Sequence, residues 1–185
     1  MIKNNVVKEV KSMILDLCAD KDFIWKSHIE SVVKYSKILA KKLGADEEVC
    51  EVSAWLHDIK KVKGEKGSHH IEGSKEAAEI LKGYEFSQNR INKVMHCIIS
   101  HSSDKNYAPK SKEARIVASA DALAHFDNFL NLAYVAFYLK KYSVEEGRAW
   151  LIKKYDSCWD KLVFVPEAVE IAKPKYKLVK KIIGL

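Results

Sequence analysis

Apolar residues recur every three or four positions through most of this 185-residue chain, and that is the period of an α-helix. Near the N-terminus, for instance, Val6, Val10 and Ile14 fall on one helical face. No long stretch alternates apolar and polar residues as a half-buried strand would, and only three prolines and seven glycines interrupt the pattern. We therefore predict an all-α fold, and a chain of this length is expected to form a single domain over residues 1–185.

We predict roughly eight or nine helices from the periodicity and from residues that favour helix ends. Side chains suited to capping a helix N-terminus stand at four positions, Asp46, Ser87, Ser111 and Ser143. Pro166 suits the first turn of a last helix, which Pro174 should end or bend, leaving a basic tail. The approximate ranges, caps included, are 1–17, 22–43, 46–59, 71–81, 87–100, 111–124, 126–141, 143–162 and 166–174.

The composition is that of a globular protein, with 48% hydrophobic and 31% charged residues. The apolar runs are too short to cross a bilayer and no signal peptide is recognisable, so we expect no membrane association. The four cysteines are widely spaced and form no CxxC pair, which favours reduced thiols in a cytoplasmic protein. The net charge of +7 favours anionic partners such as phosphate esters or nucleic acid.

Two aspartates stand in unusual surroundings. Asp121 lies inside the apolar run "IVASADALAHF", where a carboxylate is costly to bury unless it is paired with a positive charge or bound to a metal ion. The sequence leaves both explanations open. Asp58 follows His57 in "AWLHDIKK", at the end of the third predicted helix. Successive residues diverge by about 100° around a helix, so these two side chains can face one cavity only where the helix ends.

The order of these residues resembles that of the HD-domain superfamily of metal-dependent phosphohydrolases. The family pattern is a histidine on an early helix, a vicinal His-Asp pair and an aspartate on a later helix, here His28, His57, Asp58 and Asp121. The segment "HDIKK" is also similar to the family variant HDIGK, with Lys60 in place of glycine and Lys61 at the lysine position. The resemblance covers about residues 20–130. It implies a single HD-type helical bundle on which helices from residues 131–185 pack.

Family members with a second metal ion add a His-x-x-x-Gly segment that opens a helix and a further histidine after an apolar Ile-x-x-His. Here the segment His69–Gly73 and His101 have the required spacing. His70 is one residue out of register and remains a reserve ligand or a substrate contact. His96 is five residues before His101, about 140° round a helix, so we expect it to be a core or surface histidine.

The resemblance therefore implies one or two divalent metal ions. Imidazole and carboxylate ligands without thiolate favour Mn, Fe, Co, Ni, Zn or Mg over a closed structural zinc site. The implied ligands of the first ion are His28, His57, Asp58 and Asp121. A second ion would add His69 and His101 and share Asp58.

The implied reaction is attack of metal-activated water on a phosphomonoester or phosphodiester, with a nucleotide as one candidate for this phosphorylated small molecule. Asp58 is the candidate catalytic carboxylate. Lys61 is a candidate to screen the substrate's phosphate, and the alternative is a solvated basic loop. His125 lies four residues after Asp121, on the same helical face. It is a candidate to line the pocket or to donate a proton to the leaving group, and the alternatives are a partner of a ligand or a buried histidine.

Three other functions remain open. One is a metal- or ligand-binding regulatory HD domain with little turnover, and another is a di-iron oxygenase on the same scaffold. The third is nucleic-acid binding through the basic loop and tail, but no helix-turn-helix, zinc-finger or RNA-binding signature supports it, so we do not expect a nucleic-acid partner. The sequence is compatible with a homo-oligomer.

Overall fold

The structure, a computed structural model, describes residues 5–19 and 23–184, apart from the side chain of Ile24. Within those ranges it consists of helices and connecting loops, without a strand, so the all-α prediction is confirmed. The predicted starts of the first two helices, Met1 and Asp22, lie outside the described residues.

Ten α-helices follow one another along the described chain, and eight of them have ten or more residues, in line with the predicted number. Residues Lys105–Tyr107 form a 3-10 turn, and Val135–Leu139 form a π-helical turn that continues the eighth helix. The helices are α1 Val6–Cys18, α2 Phe23–Leu43, α3 Glu47–Leu56, α4 Ile59–Val62, α5 His69–Lys82, α6 Gln88–Ser100, α7 Lys112–Asp127, α8 Phe129–Tyr134, α9 Val144–Leu162 and α10 Pro166–Ile182.

The N-terminal caps expected from the sequence are present. Asp46, Ser87 and Ser111 each accept a hydrogen bond from the backbone N–H three residues further on, at the starts of α3, α6 and α7. Ser143 and Glu146 form the reciprocal bonds of a capping box at the start of α9. Each cap satisfies backbone donors that have no partner inside the helix, and this fixes where the helix begins.

α3 ends at Leu56, three residues before its predicted end. His57 takes the C-cap position, and Asp58 leaves the helical region, with φ −115° and ψ 22°. The single turn α4 then starts at Ile59. Because the chain changes direction between α3 and α4, adjacent side chains that would diverge on a continuous helix are able to face the same space.

The boundary between α7 and α8 also differs from its prediction. α7 continues to Asp127, three residues past its predicted end, and the helix predicted over 126–141 instead starts at Phe129 and ends at Leu139. Asn128 separates the two helices because its backbone leaves the helical region, with φ −109° and ψ 47°.

α5 and α10 differ from their predicted ranges as well. α5 starts at His69 instead of Ile71, so the two histidines of its first turn belong to the helix and not to the preceding loop. α10 continues through Pro174, which the sequence analysis expected to end or bend it. Proline removes one backbone hydrogen bond, but Ala172 and Val179 on either side of it are buried, and their packing keeps both halves of α10 on the core.

α7 is the central helix of the bundle. It packs against α2, α3, α6, α9 and α10, so most of its circumference is buried. Its middle section can be surrounded in this way because most of its side chains are small: Ala118, Ser119, Ala120, Ala122 and Ala124. Asp121 consequently lies at the centre of the bundle, where a carboxylate requires compensating partners.

Two expectations from the composition can be compared with the structure. Cys18, Cys50, Cys97 and Cys158 are all buried and none forms a disulfide, as expected of reduced core thiols. Among the described helices, none combines the length and the apolar character that a bilayer crossing requires.

Candidate metal centre

The structure brings together all six side chains that the family resemblance implies as metal ligands: His28, His57, Asp58, His69, His101 and Asp121. They come from α2, the junction of α3 and α4, α5, the end of α6, and α7. All except His69 are buried. Polar groups so deeply buried need partners, and here they face one another as well as two lysines and backbone oxygens.

His57 and His101 occupy equivalent positions at the ends of α3 and α6. Each is the C-cap residue of its helix, and its Nδ1 lies close to the backbone oxygen three residues earlier, 2.8 Å from Ala54 O and 2.6 Å from Ile98 O. Because a carbonyl oxygen only accepts, Nδ1 must donate the proton. The lone pair of each neutral ring is then on Nε2, which faces the centre, as is usual for histidine ligands of metal ions.

We call Asp121 together with His28, His125 and Lys161 the Asp121 side of the centre. Oδ1 of Asp121 faces three imidazole nitrogens, at 3.3 Å from His28 Nε2, 3.5 Å from His125 Nε2 and 4.0 Å from His57 Nε2. Its other oxygen, Oδ2, accepts a 2.9 Å hydrogen bond from Lys161 Nζ. The two oxygens are therefore divided between imidazoles and one ammonium group.

We call Asp58 together with Lys61, His69 and His101 the Asp58 side. Oδ1 of Asp58 lies 3.4 Å from His101 Nε2 and 3.8 Å from His69 Nε2, and Oδ2 lies 3.6 Å from His57 Nε2. Lys61 Nζ reaches both oxygens, at 2.9 Å from Oδ1 and 3.1 Å from Oδ2. The Lys61 side chain is 38% exposed, whereas that of Lys161 is only 13% exposed. The counter-charge on the Asp58 side is therefore the more accessible one.

Three imidazoles of the centre, those of His57, His69 and His125, are neutral at neutral pH. Burial lowers the pKa of His57 to about 4, and burial together with the charge of Lys61 lowers the pKa of His69 to about 3. Burial, reinforced by Lys154, also holds the pKa of His125 well below its ordinary value. A neutral imidazole has a free lone pair, so these rings can serve as cation ligands without first losing a proton.

The two carboxyl groups are ionised. Burial alone would raise the pKa of Asp58, but Lys61 and neighbouring histidines outweigh it and hold the pKa well below its ordinary value. The same balance, with Lys161 as the largest favourable charge, lowers the pKa of Asp121. In return, the Asp121 carboxylate more than offsets burial and raises the pKa of Lys161.

The spacing of the donor atoms suits a divalent cation. Atoms bound about 2.1 Å from one ion lie about 3.0 Å apart at a right angle and about 4.2 Å apart across the ion. His28 Nε2, His57 Nε2 and Asp121 Oδ1 are 3.3 to 4.0 Å from one another. His57, Asp58 and His101 form a second buried group whose donor atoms lie within 4.8 Å of one another. These buried groups could therefore hold one or two divalent metal ions.

Asp58 is the residue whose position suits a link between two ions. His57 belongs to both donor groups, but its Nε2 has a single lone pair and can bind only one ion. Asp58 instead directs Oδ2 to His57 and Oδ1 to His101. Oδ1 is buried and accepts no well-aligned hydrogen bond from a described residue, although Lys61 is close to it. A cation would satisfy this oxygen.

A cavity of about 250 Å³ opens beside the centre. Its wall includes groups of the centre, namely His28, Asp58, Lys61 and His125, and also Trp25, Asn128, Asn131, Leu132 and Leu139. The rings of His125 and His28 are stacked with their centroids 4.6 Å apart. His125 therefore both faces Asp121 and lines the cavity, at a position from which it can contact a bound molecule.

The neighbouring histidines lie outside the two donor groups. Of the adjacent pair in α5, His69 faces Asp58, while His70 Nε2 lies 3.5 Å from Asp104 Oδ2. His96 accepts a 3.1 Å hydrogen bond from the backbone N–H of Lys110. Each of the latter two histidines therefore interacts with the loop after α6 and not with a buried carboxylate of the centre.

The sequence analysis missed the contribution of α9. Lys161 and Lys154, which lines the cavity, are seven residues apart on this helix. Both adjoin its buried apolar stripe, Leu151, Tyr155, Cys158 and Leu162. A solvated lysine is expected on the face of a helix opposite its buried apolar stripe. Two lysines at helical spacing beside that stripe are therefore a signal in the sequence that their ammonium groups have partners inside the protein.

Comparison with known proteins agrees with this geometry. A family model described as HD domain matches residues 26–125, which is more than half of the chain and includes both aspartates of the centre. The chain belongs to the HD domain family. The resemblance noted in the sequence is thereby confirmed, and the matched range begins in α2 and ends at His125. α9, with Lys161, follows the matched range.

The HD domain fold also extends over almost the whole chain. The crystal structure of a predicted HD superfamily hydrolase from an uncultured Thermotogales bacterium has a TM-score of 0.58, covers 91% of this chain and 92% of its own, and is 22% identical. At that identity the likeness shows the fold alone.

Two curated proteins contain a related segment. A tRNA (cytidine(56)-2'-O)-methyltransferase of Picrophilus torridus is 29% identical over 119 residues, which are 57% of this chain and 33% of that protein. Ribonuclease Y of Symbiobacterium thermophilum is 34% identical over 99 residues, 52% of this chain and 17% of that protein. The chain thus spans a third or less of the length of these relatives.

Proposed function

We propose that this HD domain protein is a metal-dependent phosphohydrolase that acts on a small phosphate ester. The observation that carries the proposal is that both buried donor groups reach the 250 Å³ cavity: His28 of one group and Asp58 of the other line its wall. Donor groups closed off from any cavity would indicate a structural metal site. Here a bound molecule would lie directly against Asp58, His28 and Lys61.

The chain's own residues divide into holders of the cation and contacts of the substrate. His28, His57, Asp58 and Asp121 would hold a first divalent ion, and His69 and His101 would hold a second that shares Asp58. Such ions act as Lewis acids that make water nucleophilic near neutral pH and stabilise charge on phosphate oxygens.

Lys61 is the residue we assign to the substrate's phosphate. Its ammonium group lies at the cavity wall, is more than a third exposed, and is already beside Asp58. If a cation compensates the charge of Asp58, Lys61 is free to turn towards an anion in the cavity. Lys154 lines the same cavity and adds positive charge to it.

His125 is assigned to positioning in preference to proton donation. Its lowered pKa means that the ring is neutral at neutral pH and lacks the additional proton that a general acid gives up. It stacks on His28 and faces Asp121. In this role it holds His28 in place and forms part of the cavity wall.

The cavity favours a small substrate with a ring-containing body. Ligand cavities commonly measure about 300–1,000 Å³, so a cavity of about 250 Å³ is suited to a compact molecule and not to a folded polymer. Trp25, Leu132 and Leu139 offer apolar surface, and Asn128 and Asn131 offer amides. A nucleoside monophosphate has the matching parts, because its phosphate can contact the charged residues of the cavity wall and its base can contact the apolar ones.

The alternative substrate is a phosphodiester in RNA. The net charge of +7 favours a polyanion, and both curated relatives have names that refer to RNA chemistry. The two substrates make opposite demands on size. A mononucleotide is enclosed by the cavity, whereas an RNA strand would have to contact the basic surface outside it.

The deciding experiment is a hydrolysis assay on protein purified without chelator and supplied with Mn²⁺. Release of phosphate from nucleoside 5'- and 3'-monophosphates is compared with cleavage of bis(p-nitrophenyl) phosphate and of a short single-stranded RNA. We expect turnover of the monophosphates and its loss in EDTA and in Asp58→Asn. Protein that retains Mn²⁺ but hydrolyses none of these esters would favour the regulatory alternative. Oxygen consumption by iron-loaded protein would favour the oxygenase.

A further inference from the structure

The charge that compensates Asp121 comes from a part of the chain to which the family pattern assigns no role. Lys161 lies near the end of α9, and its Nζ donates to Asp121 Oδ2 across the interface between α9 and α7. The backbone of the same residue is also tied to α7, because its oxygen accepts a hydrogen bond from the Ser119 hydroxyl at 3.3 Å. Both ends of Lys161 are therefore fixed against the central helix.

The bond from Lys161 leaves one carboxylate oxygen available. Oδ2 of Asp121 is used by the ammonium group, while Oδ1 faces His28, His125 and His57. With Oδ2 held on the α9 side, the carboxylate cannot rotate without breaking a buried charged bond. The orientation of Asp121 is thus set from the α9 side, by a residue whose ammonium group has no lone pair with which to bind a cation.

We propose that Lys161 is a positioning residue for Asp121 and also supplies its counter-charge. Its ammonium group orients the carboxylate so that Oδ1 faces the cation-binding histidines, and it neutralises this buried carboxylate while no cation is bound. The inference rests on the cation-binding part of the proposed function and not on the hydrolytic reaction. It predicts that the Lys161 side chain compensates the charge of the Asp121 carboxylate in the metal-free protein, and that a bound cation adds to this compensation.

The expected consequence of Lys161→Met is a selective loss in the metal-free protein. Methionine has a similar length and no charge, so it leaves the carboxylate buried and unpaired. We expect the melting temperature in EDTA to fall by about 10 °C. A cation then becomes the main remaining counter-charge, so 1 mM MnCl₂ should raise the melting temperature of this variant by at least twice as much as it raises that of the unchanged protein.

The experiment is a set of thermal melts in EDTA and in MnCl₂ on the full chain. Lys161→Arg keeps the charge and should restore the melting temperature in EDTA, whereas Lys161→Gln keeps a donor without the charge and should not. Lys153→Met, on the exposed face of the same helix, controls for helix propensity and should change neither melt. A residue with a merely structural role would lower both melts equally, and that result would overturn the proposal.

A second variant keeps the test valid if Lys161→Met does not fold in either condition. Asp121→Asn/Lys161→Met removes both charges and should recover a folded protein in EDTA, because no buried charge is then left unpaired. If the double variant is as unstable as the single one, Lys161 acts through packing and the proposal fails. If Mn²⁺ does not raise the melting temperature of the unchanged protein, the proposal of a cation site fails. The comparison of the single and double variants in EDTA still tests the role of Lys161 in that case.

Discussion

The two sides of the centre contain the same kinds of group but differ in exposure and in where their partners come from. On the Asp58 side, the lysine is three residues from the aspartate and is 38% exposed. On the Asp121 side, the lysine is forty residues away on another helix and is 13% exposed. An exposed lysine can be displaced by a cation or a substrate, whereas a buried one remains with its carboxylate.

This difference indicates that the two sides have different tasks. Asp58 lies at a turn between helices, next to the cavity, and its Oδ1 accepts no well-aligned hydrogen bond from the residues that the structure describes. Asp121 lies inside α7, which is buried on most of its circumference, and its Oδ2 accepts a hydrogen bond from Lys161 on α9. Under the proposed function, the Asp58 side is therefore the one at which binding partners would exchange, and the Asp121 side would be the fixed part of the centre.

The largest effect is expected from Asp58→Ala, because Asp58 directs an oxygen to each donor group. The variant should retain no metal and lose about 1,000-fold or more in kcat/KM, equivalent to about 4 kcal/mol of activation free energy. Helicity should change little, because Asp58 lies between α3 and α4 and makes no side-chain cap. Metal analysis of the purified protein, kinetics and circular dichroism measure the three quantities.

The matched control is Asp104→Asn. This aspartate is near the centre and pairs with His70, but it belongs to neither donor group. It should retain the metal. Asp58→Ala protein that still contained two ions per chain would show that Asp58 is not shared between the two sides.

A smaller effect is expected from His101→Ala, which alters the Asp58 side alone. His101 faces Asp58 Oδ1 and belongs to the donor group of Asp58 and not to that of Asp121, so the variant should keep one ion per chain and lose the other. His96→Ala is the control, because it lies on the same helix but accepts a hydrogen bond from Lys110 N. Metal content measured by mass spectrometry decides the question. Two ions in His101→Ala would show that His101 is not a ligand.

The sequence predicted the Asp58 side better than the Asp121 side for a physical reason. His57, Asp58 and Lys61 are close together along the chain, so local spacing already places them together. Asp121 was recognisable as a carboxylate that needs a partner. Which of the 32 lysines and arginines supplies it depends on how α9 packs against α7, and local periodicity carries no such information.

The fold shows the same division between local and long-range information. Caps such as Asp46 and Ser111 were visible because each acts within three residues. The early end of α3 at Leu56 and the passage of α10 through Pro174 were not, because both depend on tertiary packing. Propensity gives a helix's existence and often its start, while packing decides where it continues.

The pH dependence of stability tests how strongly the buried imidazoles contribute. The pKa of His57 is about 4 in the folded protein and about 6.5 in an unfolded chain, so between these values the unfolded state binds more protons. Stability must therefore fall as the pH decreases through that window. His57 alone should lower the free energy of unfolding by about 2 kcal/mol between pH 7 and pH 5.

Urea unfolding in EDTA at pH 7, 6 and 5 measures this loss, and two variants compare the sides. His125 on the Asp121 side is 14% exposed, and His69 on the Asp58 side is 25% exposed. Despite this difference in exposure, we expect His125→Asn and His69→Asn to remove similar shares of the pH dependence, because the pKa of each ring is lowered so far that only the unfolded chain takes up its proton between pH 7 and pH 5. Equal stability at pH 7 and pH 5 in the unchanged protein would contradict the assignment of neutral imidazoles.

The smallest effect on stability is expected from Lys61→Met, and it separates the two lysines directly. The Lys61 side chain is 38% exposed at the cavity wall, so water can take its place beside Asp58, and the free energy of unfolding in EDTA should fall by less than in Lys161→Met. The KM for a phosphate ester should instead rise by about 10-fold, because Lys61 is the accessible ammonium group at the cavity wall. Lys66→Met, exposed on the loop between α4 and α5, is the control for both measurements. If Lys61→Met destabilised the protein as much as Lys161→Met while leaving KM unchanged, the two carboxylates would have equivalent counter-charges, and the distinction between an exchanging side and a fixed side would be wrong.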